Sequence, residues 1–314
     1  MKKRLYDNYD YEDIYDRKIE NESLDDLRIN SNYVYVRQTV KSKKYIECSI
    51  YPTWKCKGDI PRGKKKKKST DKQKKQNRKN RIKNITRYIH TNFTTEDLFT
   101  TLTYRDLRGI DEERAYKDIK NYIDRIRRWM KRNKITKELK YMYIISYDNN
   151  PNSEKKIRIH HHIIMSGVDR EAAEKTWHEG IANARKLQEG DFGFSELGKY
   201  FADQVQNSKD EPEETKLPRR GKRFGHSLNL KKPTITQDRT TLTRRKVETI
   251  AKNENDYKEF FEKKYPGCRF IDCQVYISDE FSGVYLYARL IKEDEVKKEW
   301  KNRKNKLFCF NGPI

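Results

Sequence analysis

Helix-like and strand-like segments alternate between residues 98 and 206, and this order constrains the fold more than any other feature of the sequence. The segment from Asp111 to Arg132 repeats apolar residues at helical spacing, which predicts an amphipathic helix with one buried face. Strand-like runs lie on either side of it, at 98–104, 141–147 and 157–165. Two further helical segments are predicted, at 170–188 and 195–206. The order β-α-β-β-α-α predicts an α+β fold with helices packed on an antiparallel sheet.

The net charge of +24 indicates a polyanionic partner. The chain has 314 residues with 72 Lys and Arg against 48 Asp and Glu, and only 34% of its residues are hydrophobic. Nucleic acid is therefore the leading candidate, ahead of an anionic membrane surface, which would need a basic helix with an apolar face. No run approaches the roughly 18 apolar residues of a membrane span, and five scattered cysteines do not form a disulfide framework. We expect a cytoplasmic protein with no membrane partner.

Composition divides the chain into five segments. We expect an acidic, Tyr-rich segment at 1–32, a β-hairpin region at 33–61, a basic DNA-binding arm or helix at 62–90, a core at 91–210, and a basic linker with an α+β extension at 211–314.

The basic segment is the main candidate for DNA contact. Residues 62–87 hold 14 Lys and Arg and a single acid, Asp71. Each phosphate that such a segment neutralises adds salt-dependent affinity, although a charge run is also typical of a solvated tail. The candidate DNA-binding residues are Lys64, Lys65, Lys66, Lys67, Lys68, Lys74, Lys75, Arg78, Lys79 and Arg81, with Thr103 in the first strand of the core.

Three consecutive histidines lie in the predicted strand 157–165. Because side chains alternate along a strand, His160 and His162 share one face while His161 lies on the other. Two imidazoles at this spacing can hold one metal ion, and two buried imidazoles without a partner would cost free energy. The alternative is a polar surface patch. The spacing favours a metal pair but identifies no activity.

A tyrosine and an amide are predicted on one face of the helix 195–206. Tyr200 and Gln204 are four residues apart, so they face the same way, and Lys199 is next to Tyr200. The tyrosine is a candidate nucleophile. The alternative is an ordinary packing face.

Three stretches, taken in order, resemble the motifs of the HUH endonuclease superfamily, specifically those of the rolling-circle replication initiators of Gram-positive plasmids and related mobile elements. LFTTLTY at 98–104 is similar to the first motif, IRIHHHIIMSG at 157–167 to the second and LGKYFADQ at 197–204 to the third. The resemblance implies an HUH-type central antiparallel sheet of about five strands, flanked by helices. The histidine pair would lie on the central strand, with the tyrosine helix beside it.

The resemblance also implies the chemistry. Tyr200 would nick one DNA strand, forming a 5′-phosphotyrosine and freeing a 3′-OH primer, with Lys199 favouring the phenolate. A Mg²⁺ or Mn²⁺ ion on His160 and His162 would neutralise the developing charge. The implied partners are single-stranded or hairpin DNA at a replication origin and the host replication machinery.

The chain departs from the family pattern at the third metal ligand. Ser146 stands where many relatives have an acidic ligand. Gln204 is the expected replacement, and the alternatives are Asp148, Asp203 and Glu196. Two other functions stay open: a relaxase or single-strand transposase with the same chemistry, and a non-catalytic DNA-binding regulator in which the histidine run is incidental.

Overall fold

The computed structural model describes residues 33–54, 71–106, 108, 110–146, 158–206, 223–238, 242–277 and 283–293. The chain divides into two compact units, one formed by Met1–Lys68 with Thr234–Ile314 and the other by Ser69–Pro233. Each unit contains a five-stranded antiparallel sheet and helices, so the expected α+β class is confirmed. In these stretches no helix has both the length and the apolar character that crossing a membrane requires.

Strands and helices are interleaved along the chain. The strands are β1 (Tyr33–Ser42), β2 (Tyr45–Trp54), β3 (Leu98–Tyr104), β4 (Lys140–Ser146), β5 (His160–Ser166), β6 (Gly180–Lys186), β7 (Phe224–His226), β8 (Thr234–Asp238), β9 (Cys268–Ile277) and β10 (Val284–Lys292). The helices are α1 (Asp71–Asn92), α2 (Glu112–Arg132), α3 (Arg170–Lys175), α4 (Ser195–Gln206), α5 (Arg244–Lys252) and α6 (Glu254–Lys264).

The second unit is built on a sheet of order β6-β3-β5-β4-β7, which we call the histidine sheet. Every neighbouring pair in it is antiparallel. Strand β5 is central, as expected. Because successive side chains of β5 point to opposite faces, this one strand supplies both the core and the candidate site.

Helix α2 covers one face of the histidine sheet through its apolar side. The Asp111 side chain caps the helix by accepting a hydrogen bond from the Arg114 amide at 2.7 Å. Ile119 and Ile126 are fully buried and belong to the same cluster as Ile163 of β5. Burying each such side chain stabilises the fold by about 1.5–3 kcal/mol. The amphipathic helix predicted at Asp111–Arg132 is confirmed.

Helices α1 and α4 cover the opposite face. Ile85 and Ile89 of α1 and Phe201 of α4 are fully buried in one apolar cluster with residues of β4 and β5. The described half of the basic segment is therefore part of the core of this unit. A basic arm ending at residue 90 and a core beginning at residue 91 are not separated in the structure, because α1 has an apolar face as well as many cations.

The prediction of helix throughout 170–188 is wrong. Helix α3 ends at Lys175, and residues from Gly180 onward form the edge strand β6, paired with β3 over seven residues. The local sequence favours helix, but pairing with an otherwise open edge of the sheet overrides it. Gly180 is needed there, since a Cβ would come within 2.1 Å of the Thr103 carbonyl oxygen.

The first unit contains a sheet of order β8-β1-β2-β10-β9. The predicted hairpin is present as β1 and β2, and the two strands predicted at 268–291 are β9 and β10. Helices α5 and α6 bury Val247 and Phe261 against this sheet. The hairpin region and the C-terminal extension thus share one sheet, although they lie far apart in the sequence.

Candidate active site

His160 and His162 lie on the face of the histidine sheet that α1 and α4 cover. His160 is level with Thr103 of β3 and Ser146 of β4, and His162 is level with Thr101 of β3. The two imidazole ring centroids are 4.7 Å apart. Since directly opposite residues of neighbouring strands share a face, hydroxyl groups from both sides line the pair.

Hydrogen bonds leave one ring nitrogen of each histidine for another partner. His160 Nδ1 donates to the Arg158 carbonyl oxygen at 2.7 Å, which places the lone pair of this imidazole on Nε2. His162 Nδ1 lies 3.1 Å from Thr101 Oγ1. His162 Nε2 is buried and has no hydrogen-bond partner among the described residues. Such an outer hydrogen bond on one nitrogen is typical of metal-binding histidines.

His162 is in the protonation state that a metal requires. Burial and the neighbouring His160 and Arg185 lower the pKa of His162 to about 3. This imidazole is therefore neutral at pH 7, and its orphaned Nε2 fits a divalent cation. The described residues contain no group of three or more His, Cys, Asp or Glu side chains placed to share an ion, so a complete site needs other oxygen donors.

Tyr200 of α4 packs directly against His162. Their ring centroids are 5.2 Å apart and the rings are nearly perpendicular. Tyr200 is half-buried, and burial raises the pKa of its phenol, while the hydroxyl of Ser146 acts in the opposite direction. The candidate nucleophile and the candidate metal ligand therefore lie side by side.

Helix α1 fixes the position of the tyrosine helix. Gly198 lies against Thr86 of α1, where a Cβ would come within 2.0 Å of the Thr86 hydroxyl oxygen. An ion pair joins Arg78 of α1 to Asp203 of α4 at 2.6 Å. The basic helix thus supports the site through packing as well as charge.

The other predicted site residues are less closely joined to the histidines. Lys199 is exposed, and it is not among the groups that shift the Tyr200 pKa. Gln204 is half-buried on α4, and no hydrogen bond of its side chain is seen in the described part of the chain. Of the alternative ligands, Glu196 is exposed, Asp203 pairs with Arg78, and Asp148 lies outside the described residues. The third ligand stays a prediction.

The candidate DNA-binding residues divide into three groups. Five lysines, Lys64 to Lys68, lie outside the described residues, as do the side chains of Lys74 and Lys75. Arg78 is in the ion pair above, Lys79 is half-buried and Arg81 is only 5% exposed. Thr103 donates a hydrogen bond to the Ile181 carbonyl oxygen at 3.1 Å.

Residues of β6 extend the site face and were missed by the sequence analysis. Arg185 is exposed and lies over the Phe99 ring at 5.6 Å, and Phe99 stacks on His162 at 5.3 Å. Asn183 and Ile181 are level with Thr101 and Thr103. The alternation in LFTTLTY indicates the β3 residues, but a segment read as helix could not place those of β6.

His161 lies on the opposite face, as strand alternation predicts. Its Nε2 is 3.0 Å from the Tyr104 hydroxyl, which donates to Asp118 at 3.3 Å. Burial lowers the pKa of His161 to about 3, so it is neutral within the core. A polar partner thus explains why this core position tolerates histidine.

Comparison with known proteins supports the resemblance drawn from the motifs. No curated protein and no solved structure matches the chain. Residues 97–209, a little over a third of the chain, match a family model described as a replication-associated protein of the ORF2 type. This stretch includes β3, the histidine strand β5 and the tyrosine helix α4. Over residues 97–209 the chain is therefore related to the rolling-circle replication initiators, as the sequence indicated.

Proposed function

We propose that the chain is a rolling-circle replication initiator that nicks one DNA strand through Tyr200 in a metal-dependent reaction. The observation that carries this proposal is the contact between the Tyr200 ring and the His162 ring, whose Nε2 is buried without a partner among the described residues. The family match over residues 97–209 supports a role in DNA replication.

His160 and His162 would hold the metal through Nε2, with Gln204 as the expected third ligand. Bound Mg²⁺ or Mn²⁺ supplies charge neutralisation at the scissile phosphate. The Arg158 carbonyl and the Thr101 hydroxyl orient the two imidazoles. These contacts reduce the rearrangement that binding requires.

The Tyr200 oxygen attacks the scissile phosphorus. A bond forms between this oxygen and phosphorus, and the bond to the 3′ oxygen breaks. The phenol proton leaves to solvent, and the 3′ oxygen takes a proton to become a 3′-OH. The products are a 5′-phosphotyrosine and a primer end, and the covalent bond allows later rejoining. Exposed Lys199 stays a proposed aid to phenol ionisation.

Arg185 is suited to binding the substrate strand. It is exposed on the same face as the histidines, and no acidic group pairs with it in the described part of the chain. Its guanidinium can contact a backbone phosphate. The exposed Ile181 beside Thr103 offers an apolar contact for a base or sugar. Origin DNA, host replication proteins and a cytoplasmic location complete the proposal.

A covalent-adduct assay tests this function. The protein is incubated with Mn²⁺ and single-stranded origin DNA, then boiled in detergent and separated on a gel. Wild-type protein is expected to carry DNA, and Tyr200→Phe to carry none while still binding DNA. Tyr88→Phe removes a half-buried hydroxyl elsewhere on this sheet face and is the matched control.

Two results would count against the proposal. An adduct that persists in Tyr200→Phe would exclude this nucleophile. Nicking that persists in the double variant His160→Ala/His162→Ala would exclude the metal site. A relaxase or transposase would form the same adduct and would differ in its preferred DNA, whereas a non-catalytic regulator would form none.

A further inference from the structure

A groove lies on the side of the histidine sheet opposite the candidate active site. It runs between the C-terminal half of α2 and helix α3 and has a volume of about 800 Å³. Both helices pack on the face of the sheet that carries His161. The groove is therefore separate from the face on which His160, His162 and Tyr200 meet.

Uncompensated cations line the groove. Arg128, Lys131 and Arg132 are exposed, and none of them has an acidic partner among the residues that the structure describes. The acids of the groove are already engaged. Asp169 caps α3 by accepting from the Ala172 amide at 2.6 Å, and Glu171 forms an ion pair with Lys175. The charge left over is positive.

The helix dipole explains only part of this cluster. Lys131 and Arg132 are in the last turn of α2, where cations are favoured. Arg125 and Arg128 lie further from the helix end. Arg125 donates from Nε to the Thr176 carbonyl at 3.1 Å, and its Nη2 is buried without a partner in the described part of the chain. A buried guanidinium nitrogen without an acceptor is costly, which indicates a ligand that supplies one.

We infer that this groove binds the phosphate backbone of duplex DNA. Arg125, Arg128 and Arg132 follow one face of α2 over seven residues, or about 10 Å, so they can contact neighbouring phosphates of one strand. Single-strand binders present several aromatic stacking platforms, whereas this groove offers only the half-buried Trp129. The inference does not depend on nicking, because it concerns binding at a separate surface.

A salt titration of DNA affinity tests the inference. The groove variant is Arg128→Gln/Lys131→Gln/Arg132→Gln. The control changes as many exposed cations of α2 outside the groove and is Lys117→Gln/Lys120→Gln/Arg127→Gln. Binding of a labelled duplex of random sequence is measured from low to high salt. The slope of log K against log salt should be shallower by about 2 to 3 in the groove variant and nearly unchanged in the control.

Further measurements make the result decisive. Arg128→Lys/Arg132→Lys keeps the charge and should keep the wild-type slope. Equal slopes in the groove and control variants would overturn the inference. It would also be overturned if the groove variant kept its duplex affinity but lost binding to a polyglutamate peptide, which would indicate an acidic protein partner. Adduct formation on a single-stranded oligonucleotide should survive in the groove variant, so failure of the proposed nicking is recognised separately.

Discussion

Gly198 of the tyrosine helix lies so close to Thr86 of α1 that no side chain fits between them. A Cβ at position 198 would come within 2.0 Å of the Thr86 hydroxyl oxygen and 2.9 Å of its Cα. The backbone atom cannot move aside as a flexible side chain could. The approach of α1 to α4 therefore sets where Tyr200, two residues further on, meets His162.

Gly198→Ala is expected to force the two helices apart. Overpacking of this kind lowers the free energy of unfolding by about 1–3 kcal/mol, and displacement of Tyr200 should reduce adduct formation more than the loss of folded protein explains. Urea unfolding and the adduct assay measure the two effects. Gly190→Ala is the control, since a Cβ there meets nothing closer than 3.8 Å. Equal effects of the two substitutions would show that the close approach does not matter.

Thr101→Val tests whether the hydroxyl group orients His162. The substitution keeps the shape of the side chain and removes the partner that lies 3.1 Å from His162 Nδ1. Loss of such an outer partner typically weakens metal affinity about 10-fold to 100-fold, so Mn²⁺ affinity measured by calorimetry should fall in that range. Thr103→Val removes a hydroxyl from the same strand and face that bonds a backbone carbonyl instead. An equal loss in both variants would contradict an orienting role for Thr101.

The candidate site could be predicted from the sequence where the signal was local. The alternation of β5 placed His160 and His162 together, and helical spacing placed Tyr200 and Gln204 on one helix. The ring contact between His162 and Tyr200 depends on how α4 packs on the sheet, and no local pattern contains it. The motif order supplied that link through the resemblance.

The parts that the sequence did not predict depend on tertiary contacts. Residues 180–186 have a helical composition, but an open edge of β3 made them a strand and brought Arg185 to the site face. The basic segment looked like a free arm because its cations hide an apolar face at Ile85 and Ile89. Charge composition alone does not distinguish a solvated arm from a helix that is buried on one side.

Acidification should destabilise the protein through His161. Its pKa is about 3 in the folded protein, below the ordinary value of 6.5, so the unfolded chain binds more protons between these values. The stability is therefore full above pH 6.5 and is lost as the pH falls towards 3. At pH 5 this group should contribute a loss of about 2 kcal/mol. His161→Leu should flatten the pH dependence of urea unfolding, because Tyr104 keeps Asp118 as its acceptor.

Two comparisons check the assignment to His161. His162 has a similarly lowered pKa, so His161→Leu should remove only part of the pH dependence. His178→Asn changes an exposed histidine of the same unit and should leave the dependence unchanged. A wild-type slope in His161→Leu would mean that other groups govern acid sensitivity.

Asp203 should act through its ion pair with Arg78 and not as a metal ligand. The two groups are 2.6 Å apart and each is about one third exposed, so solvent screening limits the pair to less than about 1 kcal/mol. Asp203→Asn should therefore lower the free energy of unfolding slightly and leave Mn²⁺ affinity unchanged. Gln204→Ala, one residue further along α4, should weaken Mn²⁺ binding if the amide is the third ligand. A large loss of Mn²⁺ affinity in Asp203→Asn, with none in Gln204→Ala, would transfer the ligand role to the carboxylate and require the ion pair to open when metal binds.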